Sequence, residues 1–197
     1  MGDRVYLGVG RVLPEGVEAL RGALAAEPSA AGVVFLDPED GVHPLALVPV
    51  ARSVRPEWPV VVPLVARDRN RTALLAEARA ARVAGADGLL LVSGRLEAPP
   101  AARPVFEMDV LQLAGWLREQ GVDLELWTVG RCATPAQRAW AASLAGAGVG
   151  RLLVPWEGGP LPEVDGMEVL ALAGAPVPEA GGAVRRVYPG PGGEGTP

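Results

Sequence analysis

Eight short apolar runs punctuate the chain, at residues 5–9, 32–36, 60–65, 88–92, 124–129, 151–154, 169–173 and 184–187. Although Glu125, Arg151 and Arg185-Arg186 interrupt the later runs, the apolar character of the early ones is continuous rather than alternating. A strand covered on both faces has this signature, because side chains of both parities are buried, whereas a sheet wetted on one face alternates. The runs therefore predict parallel strands in an α/β fold. Between the early runs, apolar spacing predicts helices over 14–26, 45–54, 71–84, 110–119 and 135–144. In the third of these, Leu74, Leu75, Ala78 and Ala81 share one face with Glu77 and Arg79 at its edges, as a helix packed on a sheet requires.

Alternating strands and helices of this length leave two topologies, a closed (β/α)₈ barrel and an open doubly wound sheet. An open dinucleotide-binding sheet would carry G-x-G-x-x-G after its first strand. Here Gly8-Val9-Gly10-Arg11-Val12-Leu13 lacks the third glycine and runs into Pro14. The expectation is a compact barrel over residues 1–188. After residue 154 the Gly- and Pro-rich stretches are too short for full helices, so the last two units are expected to have reduced outer helices and to expose strand backs such as Leu152 and Leu170. Residues 189–197 read as a Gly/Pro-rich, poorly ordered tail.

Composition narrows the chemistry. All 18 basic residues are arginine, so Schiff-base and P-loop lysine chemistry is excluded. The formal charge of −5 is spread along the chain without a basic run, which argues against nucleic-acid and membrane-surface partners. One cysteine, Cys132, and one histidine, His43, form neither an internal disulfide nor a soft-ligand zinc site. With no leader-like or membrane-spanning stretch, the expected compartment is the cytoplasm.

The stretch from Pro59 to Gly94, with Arg67-Asp68-Arg69-Asn70-Arg71 at its centre and Ser93-Gly94 at its end, resembles the third-to-fourth-strand region of the methylenetetrahydrofolate reductases. Pro104-Val105-Phe106-Glu107-Met108-Asp109 followed by Val110-Leu111-Gln112-Leu113 is similar to the same family's segment before the fourth helix, and Val129-Gly130 with Pro135 to its fifth-strand end. The matches run in order over roughly residues 30–157. The resemblance implies a flavin-binding (β/α)₈ barrel, with FAD as cofactor, folate as ligand, and Asp40, Arg67, Asp68, Asn70, Ser93, Gly94, Arg95, Phe106 and Arg131 at the cofactor site.

The departures are equally informative. The family's proton-donating glutamate near the end of strand one has no counterpart in Tyr6-Leu7-Gly8-Val9-Gly10. Its flavin-facing aspartate after strand four becomes Arg95, its strand-three histidine and threonine become Pro63 and Val65, and its strand-six threonine-glutamine pair becomes Val154 and Pro155. Glu39 takes the place of a second-strand threonine beside Asp40-Gly41, and Leu144 that of a phosphate-binding lysine. The resemblance thus implies a family barrel with reduced or lost reductase activity that binds folate, another small heterocycle, or a partner protein. Two alternatives stand beside it. One is an active NAD(P)H- and flavin-dependent reductase in which Glu39 or Glu157 replaces the lost acid. The other is a non-catalytic subunit that docks on a reductase or methyltransferase, or self-associates, through exposed strand backs.

Each candidate also has a structural reading. Asp68 or Asn70 suits a helix N-cap, and Glu39 with Asp40 an acidic turn. Cys132 reads as a small buried hydrophobe, His43 as a loop residue, and Trp127, Trp156 and Phe106 as core aromatics before stacking platforms.

Overall fold

The computed structural model describes residues 4–36, 41–67, 69–94, 105, 107–155, 160–173 and 182–187. Eight parallel strands close into a barrel in chain order: β1 (Arg4–Val9), β2 (Gly32–Phe35), β3 (Val60–Val65), β4 (Gly88–Val92), β5 (Glu125–Val129), β6 (Val149–Pro155), β7 (Glu168–Ala173) and β8 (Gly182–Val187). β8 pairs with β1 from Arg4↔Gly182 to Val9↔Val187, which completes the ring. Five helices lie outside: α1 (Val17–Ala25), α2 (Pro44–Val54), α3 (Arg71–Ala84), α4 (Val110–Glu119) and α5 (Pro135–Gly146).

From β2 to β4 the strands read as nearly unbroken apolar runs because both of their faces are buried. One parity fills the cylinder, where Tyr6, Val34, Val61, Leu90, Trp127, Leu153 and Leu170 form a single cluster. The other parity, including Leu7, Val33, Val60, Leu89, Leu126 and Leu152, packs against Leu20, Leu47, Leu74, Leu113 and Leu144 of the helices. One expectation is corrected here. Leu152 and Leu170 are not exposed strand backs: both are fully buried, Leu170 inside the cylinder and Leu152 beneath the helical layer. No helix separates β6 from β7 among the described residues, as the short Gly/Pro-rich stretch predicts, but Leu161, Val164 and Met167 of that connection pack on the core where a helix would lie.

Element starts follow local chemistry. The expected helix over 14–26 divides into a 3-10 turn at Pro14–Gly16 and α1, because Pro14 opens a tight turn and Gly16 supplies no side-chain cap. Asn70 Oδ1 accepts from the Ala73 amide and starts α3. Asp109 with Gln112 and Thr134 with Gln137 form reciprocal capping boxes that start α4 and α5.

The amino-terminal face of the barrel is stapled by guanidinium groups. Arg52 donates to the carbonyls of Gly85, Pro56 and Trp58 and pairs with Asp87 at 2.6 Å. Arg118 reaches the carbonyls of Val122, Leu124 and Gly148. Inside that end, Arg151 lies between Glu125 and Glu168, at 2.6 Å from each, with its guanidinium carbon 4.7 Å from the Trp127 ring centroid. A planar group with five fixed donors suits this work in a way that a lysine ammonium does not.

Candidate functional site

Barrel enzymes place their chemistry where strands hand over to helices, at the carboxyl ends. The described strand exits are Gly10 after β1, Leu36 after β2, Ala66 and Arg67 after β3, Ser93 and Gly94 after β4, Gly130 and Arg131 after β5, and Pro155 at the end of β6. Aspartate, glutamate and histidine do not occur among these positions.

Arg67 is only 5% exposed, a rare state for an arginine. Its backbone holds two neighbours together, since its N–H donates to the Ser93 carbonyl (3.2 Å) and its carbonyl accepts from Val105 N–H (2.8 Å). Gly94 has φ +88°, a left-handed conformation that favours glycine, and this lets the chain turn away directly after Ser93. On the next strand, a Cβ at Gly130 would lie 2.8 Å from Trp140 Cζ3 and 3.2 Å from Leu152 Cδ1, so glycine there admits the Trp140 ring beneath the rim. Arg131 follows, exposed. The fold thus gathers Arg67, Ser93, Gly94 and Arg131 on three successive strand exits.

Other anticipated residues have different work. Asn70 is the α3 cap, so its side-chain oxygen serves the helix. Trp127 is completely buried inside the cylinder, edge-on to Tyr6. Cys132 packs in the outer core, where burial pushes its thiol pKa up against the opposing pull of Arg138. Glu39, Asp40, Asp68, Arg95, Phe106, Trp156 and Glu157 lie outside the described residues.

One arrangement had no motif to announce it. His43 caps α2, its Nδ1 accepting from Leu45 N–H at 3.3 Å, while its Nε2 lies 2.7 Å from Glu77 Oε1. Arg69 Nε lies 2.5 Å from the other oxygen of Glu77. These residues are far apart in sequence, and Glu77 reads there only as the edge of an amphipathic helix. Of the other described acids at this end, Glu107 accepts from the Arg71 amide and Asp109 from that of Gln112, while Glu15 stands exposed in the turn after β1.

The described residues do not fit a flavin of the kind the resemblance implies. Pro63 and Val65 offer no hydrogen bonds at the third strand, and both are buried. Val154 packs into the outer, helix-facing core and not toward the mouth, and Leu144 is fully buried under α5, out of reach of a phosphate. An unpaired polar atom on a buried ligand costs about 1–3 kcal/mol, and several such losses abolish tight binding. Among the described residues no group of three or more His, Cys, Asp or Glu side chains is placed to hold a metal ion.

No family model and no curated protein matches the chain. Solved structures do. A mutant tryptophan synthase α-subunit from Pyrococcus furiosus superposes with a TM-score of 0.62 at 14% identity, over 94% of this chain and 88% of that one. The fold is an α/β barrel. A mandelate oxidase bound to a substituted phenylacetate gives 0.60 at 16% identity over 92% of this chain. This chain spans 64% of the oxidase's length. The monotopic membrane protein (S)-mandelate dehydrogenase gives 0.56 at 13% identity, over 93% and 68% of the two chains. At such identities the likeness carries the architecture alone. No helix among the described residues is long and apolar enough to cross a membrane.

Proposed function

We propose that the chain is a barrel protein of the methylenetetrahydrofolate reductase type in which flavin-dependent reduction is diminished or lost, and whose rim binds a folate or related anionic heterocycle. The observation that carries this reading is the make-up of the described strand exits, where Arg67 and Arg131 flank Ser93 and Gly94 and no carboxylate or imidazole appears. Reduction of a methylene-bridged pterin needs an acid to deliver a proton. Glu77, Glu107 and Asp109 are committed to His43, Arg69, the Arg71 amide and the α4 cap, and Glu15 sits outside in the exposed turn that precedes α1. Two guanidinium groups on either side of β4 suit the carboxylates of a folate tail, because a planar fork matches a carboxylate with two parallel hydrogen bonds.

The test uses the purified full chain. Its absorbance spectrum is recorded, FAD and 5-methyltetrahydrofolate are each titrated by calorimetry, and NAD(P)H oxidation is followed. The expected result is no flavin band, no NAD(P)H oxidation, and saturable folate binding weakened at least tenfold by Arg131→Ala. Stoichiometric flavin with NAD(P)H oxidation would overturn the reading and direct attention to Glu39→Gln and Glu157→Gln. Absence of folate binding would remove the ligand assignment.

A further inference from the structure

Among the described side chains, Glu77 is the carboxylate on which other loops converge. It projects from the middle of α3 with 13% of its side chain exposed, and its two oxygens serve different loops. Oε1 faces His43, which belongs to the connection leaving β2, and Oε2 faces Arg69, which belongs to the connection leaving β3.

The flanking joints extend the chain of contacts in both directions. Val42 N–H donates to the Val12 carbonyl (2.7 Å) and fastens the β2 exit to the β1 exit. On the other side, Arg71 N–H donates to Glu107 and Val105 N–H to the Arg67 carbonyl, fastening the β3 exit to the segment before α4. The Val42–Val12 and Val105–Arg67 joints are main-chain to main-chain, and the Arg71–Glu107 joint pairs an amide with one carboxylate. The joint at Glu77 is made of three side chains, so it can be opened from either connection without altering the backbone.

We propose that Glu77 is a positioning residue, a latch that couples the β2 and β3 exits so that the order of one depends on the order of the other. The contact geometry supports this role. His43 Nδ1 accepts from the Leu45 amide while Nε2 lies 2.7 Å from Glu77 Oε1, so both ring nitrogens are engaged and the ring is held as a strut. On its other oxygen the carboxylate faces the Arg69 guanidinium, which permits it to sit mostly out of water.

The coupling is read without any ligand, which keeps it independent of the folate assignment. Amide hydrogen exchange is measured on the full chain, with Arg69→Ala and His43→Ala as the informative pair. The latch predicts that Arg69→Ala speeds exchange roughly tenfold at Val42 and Leu45, and that His43→Ala does the same at Arg69 and Arg71, while amides of β5 are unchanged. If each variant disturbs only the connection that carries it, the proposal fails. A second readout guards against simple loss of fold. Far-UV circular dichroism and the urea midpoint show whether each variant keeps the fold, and Glu77→Ala, which removes the shared carboxylate, is expected to speed exchange at both connections at once while β5 amides stay as in the parent. Parent-like exchange at both connections in a folded Glu77→Ala would also overturn it.

Discussion

Replacing Arg151 by alanine removes the one described cation inside the amino-terminal end of the barrel. Its side chain is 14% exposed and meets Glu168 through Nε and Glu125 through Nη1, both at 2.6 Å. Burial opposes its charge, but the hydrogen bond to Glu168 and the fields of Glu125, Tyr6 and Glu168 outweigh it and hold its pKa above the ordinary value. A charge-assisted hydrogen bond contributes about 1.5–3 kcal/mol. Both contacts are discounted toward the low end, because Glu125 and Glu168 are 40% and 33% exposed and water screens them. Loss of the cation–π contact with Trp127 adds about 1 kcal/mol, and two carboxylates are left facing one another. The expected destabilisation is about 3–4 kcal/mol, read in urea denaturation followed by far-UV circular dichroism as a lower midpoint at constant slope. The sign of the linkage matters for the choice of pH. A raised arginine pKa contributes stability that is complete below the unfolded value and lost only as pH climbs beyond it, so the deficit from the missing guanidinium does not depend on its titration near neutrality. Adding Glu125→Gln and Glu168→Gln to Arg151→Met is expected to recover part of the loss, since no charge then lacks a partner. A deficit below about 1 kcal/mol in Arg151→Ala would refute the reasoning and mark the triad as screened surface charge.

Two further outcomes follow from the rim. Gly130→Ala places a methyl 2.8 Å from the Trp140 ring and is expected to cost about 1–2 kcal/mol, seen as a Tm lower by roughly 2–8 °C; an unchanged Tm would mean that the ring swings aside freely. Burial raises the Cys132 thiol pKa while Arg138 lowers it, so as pH rises through the ordinary thiol range the unfolded chain ionises first and stability falls. Cys132→Ala is expected to flatten that alkaline slope, and a thiol reagent to label the native protein slowly but the urea-unfolded chain at once. Fast stoichiometric labelling of the native protein would contradict the buried placement.

The architecture was legible because a barrel strand announces itself by unbroken apolarity, and β3, β4, α3 and α4 begin and end where the pattern puts them. The same feature hid the facing of individual residues. When nearly every position in a run is apolar, nothing distinguishes inward Leu170 from outward Leu152, and short connections that lack a helix suggest exposure that Leu161, Val164 and Met167 in fact prevent. β6 begins at Val149, two residues before the predicted run, because Gly150 separates Val149 from it. An arginine inside the cylinder becomes intelligible only once Glu125 and Glu168 are seen to start the adjoining strands. At the rim, Asn70 and Asp109 stand out within the segments that carry the family resemblance, and both prove to be helix caps, as does Thr134, which no motif singled out. Such residues recur wherever a strand turns into a helix, whatever the barrel does. The His43–Glu77–Arg69 joint was invisible because it depends on α2 and α3 lying side by side, and no spacing within one element encodes that.

The ring is sealed by its first and last strands, with β1 and β8 in register over six positions. Until β8 has emerged during synthesis, β1 and β7 each keep a bare row of amides and carbonyls, and such margins recruit strands from other molecules. A polypeptide cut before Gly182 would therefore be sticky as well as incomplete. Its simplest repair is to borrow the missing stave from a second copy, giving intertwined pairs or longer chains of molecules.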